Sequence, residues 1–508
     1  MSKKLDMNKI KLLRAGLLVA MPFLMALSGC NKFLDRKPLG ATLDDIPGGG
    51  LEGQALGLYS DLRNNNANGF NTIPWLAFHS FRDDDAIKGS SSGDGSDWGA
   101  IFDNFKYTKS HWSNDQYWAD HYGFLGDINK LIQIADSLKQ TDARSIINVG
   151  EAKFFRAYVF FDLVRTYGQV PLINFRSYSS TQSNIAKSSV ADIYAQIDKD
   201  LSDAEQALPL SWAGKYPGRL TSGAAKTLHA KTLLYRQQWA AALALCKSVI
   251  GTGQYNLHSD YFDIFSENGE NCDESIFEIQ ATETAGDNGA GALWNYAGSQ
   301  GTRGSGEWNL GWGWNVPDTT LANHAYEAGD PRRAATILFS GQSDGVYGQI
   351  LPAFDAGSFP QPYWNKKIYT NPSIRASTGD QSGAWVNHRI LRYADVILMA
   401  AEAANELGDT ASAKTWINAI RARARGTTSA LPDIAVAGSI SNLRKIIQQE
   451  RHVEFAMEGE RFFDLVRWNI ADSVLGPQGY KSINKYYPLP QGQVDASGGV
   501  LVQNPDYP

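Results

Sequence analysis

Residues 391–424 read LRYADVILMAAEAANELGDTASAKTWINAIRARA. The stretch reads as a helix, a short turn at Gly408 and a second helix, with small residues where the two must approach. Residues 221–257, TSGAAKTLHAKTLLYRQQWAAALALCKSVIGTGQYNL, read the same way. A helix pair of this kind cannot bury its apolar face alone and needs a neighbour to stack on. The two copies stand far apart in the chain, so the spacing predicts an interrupted array rather than a simple solenoid.

Both copies resemble tetratricopeptide units, and the surrounding pattern is also helical. YWADHYGFLGDINKLIQIADSL places Trp118, Tyr122, Leu125, Ile128, Leu131 and Ile132 on one stripe, which makes Trp118 and Tyr122 core residues. SIINVGEAKFFRAYVFFDLVRTYG is apolar around much of its circumference and should pack on both sides, ending at Gly168. SSVADIYAQIDKDLSDAEQAL has amphipathic spacing, with Ser188 or Ser189 as its cap. Asn31 to about Pro47 reads as a tether, after which GGGLEGQALGLYSDLRNN begins a helix. Residues 63–110 and about 256–388 lack helical period and are rich in Gly, Asn, Ser and aromatics. Loops that long are functional or disordered, and their aromatic content argues against disorder. The fold class is therefore mainly α: tetratricopeptide-like pairs form a helical scaffold that carries a large loop-rich, ligand-binding face. Its expected divisions are a leader, 1–29, and a body, 30–508. The body splits into an N-terminal half (30–255), a loop-rich insertion (256–388) and a C-terminal part (389–508).

The leader has a basic start and then the apolar stretch AGLLVAMPFLMALSG, the layout of a secretory signal rather than a spanning helix. Leu27-Ser28-Gly29-Cys30 resembles a bacterial lipobox. That resemblance implies cleavage before Cys30 and lipidation there, which would anchor the body to a membrane. The chain carries a formal net charge of −6 even with the basic leader counted. An acidic body without a long Lys/Arg run argues against nucleic acid as a partner. Cys246 and Cys272 read as free thiols, since two cysteines make no disulfide framework.

Six further segments, in order, resemble the SusD/RagB family of Bacteroidetes outer-membrane lipoproteins. They are Cys30–Asp35, EAKFFRAYVFFDLVRTYGQVPL (151–172), VPDTTLANHAYEAGDPRR (316–333), LRYADVILMAAEAANELG (391–408), ERHVEFAMEGERFFDLVRW (450–468), and YYPLPQ with NPDY near the end. The resemblance implies a lipid-anchored protein of the outer membrane, facing the exterior. It would capture a glycan and deliver it to a SusC-like TonB-dependent transporter, contacted through the helical side. It implies no cofactor and no catalytic residues. Peptide capture, as in some relatives, and a surface glycoside hydrolase remain the alternatives.

Sugars account for the aromatic loops. A pyranose has a C–H face that stacks on an indole and a hydroxyl rim that hydrogen-bonds to Asn, Asp or Arg. In GEWNLGWGWN (306–315), Trp312 and Trp314 alternate across Gly313 and would share one face of an extended segment, with Asn315 at the rim; the alternative is that one or more of these rings plug the underside of the loop. ALWNYAGSQGTRG offers Trp294 and Tyr296, and the first loop region offers Arg82, Asp83 and Trp98. Family members commonly join an N-terminal loop to the central loops, which would bring Trp98 near one of these sets. Trp75 and Phe78, in a more apolar context, read as packing. The run Asp83-Asp84-Asp85, or Asp94 with Asp97, has the chemistry for calcium, with a solvated loop as the plainer reading. Among enzyme motifs, GSSSG (89–93) matches G-x-S-x-G only formally, since polar loop is expected on both sides. The charges of residues 450–468 fall at three- and four-residue spacings and read as ion pairs around a packed helix.

Overall fold

A computed structural model describes residues 50–64, 73–91, 93–95, 98–139, 141–212, 216–281, 296–435, 439–505 and 507. The chain divides into residues 1–53 and 54–508. The described residues of the first part open the helix Leu51–Asn64. Cys30, Trp294 and Asp97 lie outside the described residues.

The scaffold is built from α1 (Trp112–Ser137), α2 (Ala143–Tyr167), α3 (Val190–Ala207), α4 (Ser222–Tyr235) and α5 (Trp239–Gly251). It continues in α6 (Tyr393–Glu406), α7 (Thr410–Arg425), α8 (Ile440–Phe455) and α9 (Arg461–Arg467). Side chains close the helix starts as their types dictate: the Asp142 carboxylate accepts from the Arg144 and Ser145 N–H groups, and Ser189 accepts from Asp192 N–H. Gly168 ends α2 with φ 75°, a conformation a Cβ would penalise.

Helix α2 is buried around most of its circumference because it packs on both α1 and α3, its buried charges Glu151, Arg156, Asp162 and Arg165 included. Phe154, Phe155, Phe160 and Leu163 on it are fully buried, each such side chain contributing roughly 1.5–3 kcal/mol of transfer free energy. The two tetratricopeptide-like helix pairs meet in space: α5 packs on α6, across an intervening stretch that holds the second loop-rich region, about 256–388. The array is thus interrupted in sequence but continuous in the folded molecule. On α6, Ala400, Ala401, Ala403 and Ala404 are all fully buried, small side chains that let the surrounding helices approach closely. Cys246 sits buried in this interface region and both Cys246 and Cys272 are free thiols.

The loop-rich regions are more ordered than their lack of period suggests. They contain β1 (Ala86–Gly89), β2 (Ser275–Ile279), β3 (Trp314–Pro317), β4 (Ile337–Phe339), β5 (Tyr363–Asn365) and β6 (His388–Arg392). These pair antiparallel as β1–β3, β2–β6 and β4–β5. A separate apolar cluster lies beneath them, formed by Leu310, Val316, Leu338, Leu351, Phe359, Trp364 and Tyr369. Such strands are three to five residues long, too short for alternation to show in the sequence. The polar loop expected before GSSSG is in fact β1, but among the described residues turn positions 93–95 follow it and the next helix starts only at Gly99, which is not the direct strand–turn–helix of a nucleophile elbow.

The segment 450–468 is the hub that ties loops to scaffold. Glu454, fully buried on α8, accepts from Arg392 at 2.7 Å, from Arg332 at 3.1 Å and from Arg423. Arg392 also holds Glu274 and both oxygens of Glu458, and Arg451 joins Asp395 to Asp464. These charges are ion pairs in a packed interior, as their spacing suggests. Two contacts reach the first loop region: Arg461 clasps Asp84 at 2.7 and 2.9 Å, and His452 meets Asp85. Position by position, that fixes the entry to β1, and β1 fixes β3.

Candidate functional site

The β1–β3 ladder pairs residues 86–89 with residues 314–317, with Gly89 opposite Trp314, and Ser90 N–H donates to the Gly313 carbonyl just beyond it. Glycine is required at this crossing. Gly89 has φ 69°, and a Cβ on it would stand 2.4 Å from the Gly313 carbonyl oxygen. Gly313 has φ 68°, and a Cβ there would meet Trp364 at 2.8 Å. Glycine beside tryptophan therefore serves close backbone approach, which packs the rings together rather than simply projecting them.

The rings form a layered stack. Trp98 is edge-on to Trp314, with centroids 4.8 Å apart at 87°. Trp312 lies nearly parallel to Trp314, at 5.3 Å and 12°. Phe81 backs Trp98 at 5.5 Å. Trp98 and Trp314 are buried, whereas Trp312 is 44% exposed. Edge-to-face and offset contacts of this kind suit the aromatic quadrupole, so the outer ring rests on a stiff base. Because Gly313 turns the chain, Trp312 and Trp314 do not stand side by side on one face as expected; one covers the other.

Around Trp312 the groups are polar and reachable. The Arg303 guanidinium carbon is 5.0 Å from the Trp312 ring centroid, and Arg303 pairs with Asp94 at 3.3 Å. Asp94 also accepts from the Ser90 hydroxyl at 2.8 Å. Trp308 is half-buried and lies parallel to Tyr369, at 6.0 Å and 6°. Arg303 was missed in the sequence. It lies in the stretch ALWNYAGSQGTRG, but only the register of the two loops shows that it meets Trp312.

Several expected rim and platform residues are core residues instead. Arg82 is fully buried, donating to the Phe78 carbonyl with its guanidinium carbon 3.9 Å from the Phe462 ring centroid. Asp83 is buried and accepts from the Asp85 and Ala86 N–H groups, bending the chain into β1. Asn315 is buried with φ 59° and donates to Gln300 at 2.6 Å. Tyr296 is buried and stacks on His388 at 3.9 Å. Trp75 and Phe78 are buried, as their apolar context predicts. In the acidic run, Asp83 accepts from backbone, Asp84 from Arg461, and Asp85 faces His452, so each carboxylate has a protein partner.

Asp103 sits behind β1 on the short helix Gly99–Asp103, and one of its oxygens accepts from Lys88 N–H at 3.1 Å. Burial pushes its carboxyl up to about 8, against the opposing effect of Lys88. A raised carboxyl pKa means that the native state keeps a proton the unfolded chain releases near pH 4. Its contribution is thus fully present below about pH 4 and is lost as pH rises towards 8. Asp103→Asn should flatten this decline, so that Tm between pH 5 and 9 falls less in the variant than in the natural protein. Parallel Tm curves would contradict the placement.

Comparison with known proteins gives concordant results. Residues 273–485 match the family profile described as "SusD family", and residues 71–234 match "Starch-binding associating with outer membrane". A SusD-like protein of Formosa agariphila is 27% identical over 413 residues, 77% of this chain and 80% of that protein. One of Bacteroides ovatus is 25% identical over 430 residues, 77% of this chain and 74% of its own. A solved "Laminarin binding SusD-like protein" superposes with a TM-score of 0.73 at 25% identity, covering 90% of this chain and 99% of that one. A surface glycan-binding protein A of Bacteroides thetaiotaomicron, solved with laminarihexaose, shares the fold with a TM-score of 0.73 at 24% identity, covering 89% of this chain and 98% of that one.

Proposed function

The chain belongs to the SusD/RagB family, and from that premise we propose that it captures a saccharide on the Trp312 face and passes it to a transporter. The family binds rather than converts its ligand, acts at the outer membrane and pairs with a SusC-type transporter. The finer reading adds a lipid anchor on Cys30 and a site that faces the exterior. One observation carries the site assignment: Trp312 is a rigidly backed indole with an open ring. The C–H face of a pyranose lies on that ring, and Arg303 and Asp94 meet its hydroxyls. Trp98 and Trp314 act from below, as the base that holds the ring still.

Native gels containing a panel of soluble polysaccharides test this reading. At least one glycan should retard the natural protein. Trp312→Ala should remove most of that retardation, a loss of tenfold or more in affinity, without a change in Tm. Retardation that survives in Trp312→Ala would place the site elsewhere. No retardation by any glycan, with capture of a peptide instead, would replace the saccharide reading by peptide capture.

A further inference from the structure

Away from the Trp312 face, a groove of about 600 Å³ runs between α1, the segment 171–185 and residues 493–501. That volume is typical of ligand sites. Its chemistry is unusual for this chain. A fifth of all residues are charged, yet among the described residues no Asp, Glu, Lys, Arg or His lines the groove. Trp118, Tyr122 and Phe175 supply aromatic surface, and Phe175 is 41% exposed. Ser180, Thr181 and Gln493 supply hydroxyls and an amide at the wall.

The groove is preformed. The Tyr122 hydroxyl donates to the Pro171 carbonyl at 2.8 Å, which fixes the ring against the wall. The Asn184 amide donates to the Ser497 carbonyl at 3.0 Å, joining the other two walls. The floor is bare because α1 carries Gly123 and Gly126, both exposed. A Cβ on either would meet nothing within 4 Å. Packing therefore does not call for glycine at these positions, and glycine in a helix interior costs about 1 kcal/mol relative to alanine. Their effect in the structure is to leave the space over α1 open.

We propose that this groove is a second saccharide site, which takes a neutral oligosaccharide segment. Aromatic faces with uncharged donors and acceptors match the C–H and hydroxyl surfaces of a neutral sugar, while an ionic ligand would find no countercharge. The inference rests on the reading that the protein handles glycan, but it concerns a separate place on the molecule.

Calorimetric titration of the protein purified in detergent, with maltohexaose, laminarihexaose and cellohexaose, tests it. The variants are Trp312→Ala, Gly126→Trp, Phe175→Ala and the pair Trp312→Ala with Gly126→Trp. At least one sugar should bind at two sites, one lost in Trp312→Ala and the other in Gly126→Trp. Phe175→Ala, which removes only an exposed ring, should weaken the second site about tenfold with Tm unchanged. A single site lost with Gly126→Trp and kept in Trp312→Ala would uphold the groove and displace the Trp312 assignment. A single site lost with Trp312→Ala and untouched by the groove variants would overturn the groove and leave the proposed function standing. Binding of no sugar would overturn both. Unaltered sugar binding in Gly126→Trp, with weakened co-purification of a transporter, would make the groove a protein contact and overturn the proposal.

Discussion

Replacing Glu454 with glutamine is expected to destabilise the protein by about 3–5 kcal/mol, the usual cost of breaking a buried ion pair. One Glu454 oxygen accepts from Arg392 and Arg423, and the other accepts from Arg332. A glutamine amide must turn its NH₂ toward one of these guanidiniums, setting donor against donor in a site closed to water. Burial alone would raise the Glu454 carboxyl, but Arg423, Arg392 and Arg332 outweigh it and hold the carboxyl well below the usual range. A depressed carboxylate stabilises the fold above its unfolded pKa, near 4.5, and that stability is lost as pH falls below it. The natural protein should therefore lose Tm steeply below about pH 4, and Glu454→Gln should begin from a lower Tm with a shallower slope. Lys199→Ala breaks the exposed Lys199–Asp203 pair, 3.2 Å long, and serves as the control with an effect below about 1 kcal/mol. If the two variants cost the same, the buried network is not what joins the loop face to the scaffold.

Trp314→Ala should act on stability and binding together. Its ring is the middle layer between Trp98 and Trp312, and its backbone pairs with Gly89 across the β1–β3 ladder. Removing a buried indole costs about 3–5 kcal/mol and leaves a cavity under the exposed ring. Glycan retardation should fall together with the urea midpoint. In Trp312→Ala the retardation alone should fall, because that ring is already partly in solvent. The contrast separates the layer that touches ligand from the layer that supports it. Equal loss of stability in both variants would mean that Trp312 is itself structural.

The helical half of the molecule was legible because burial writes a period into the sequence. Ile193, Ile197 and Leu201 are all fully buried on α3, at the spacing that marks them as one stripe. Gly168 ends α2 and Ser189 caps α3, where the residue types suggest. The charges of residues 450–468 were readable as ion pairs, yet their partners were not. Arg332, Arg392 and Arg423 come from three distant segments, and sequence spacing says nothing about them.

The loop face was legible only as a composition. Tryptophan among glycines marked the segment that holds the exposed ring, but the exposed ring and the buried ring there are two residues apart. Which is which depends on Gly313 at φ 68° and on a second loop more than two hundred residues upstream. Arg82 and Asp83 looked like surface groups because they are charged. Arg82 is buried among aromatic rings, with two of its nitrogens donating to the Phe78 carbonyl, and Asp83 is buried accepting from backbone N–H groups. Arg303 carried no signal of its own.

The most direct test of the account follows indole N–H resonances in protein labelled with ¹⁵N-tryptophan, titrated with the glycan that retards it. Of the 14 tryptophans, Trp312 should shift most and Trp314, stacked on it, should follow, with Trp312→Phe supplying the assignment. Tryptophans remote from both sugar sites should stay still. A titration in which the Trp312 and Trp314 signals do not move would contradict the account.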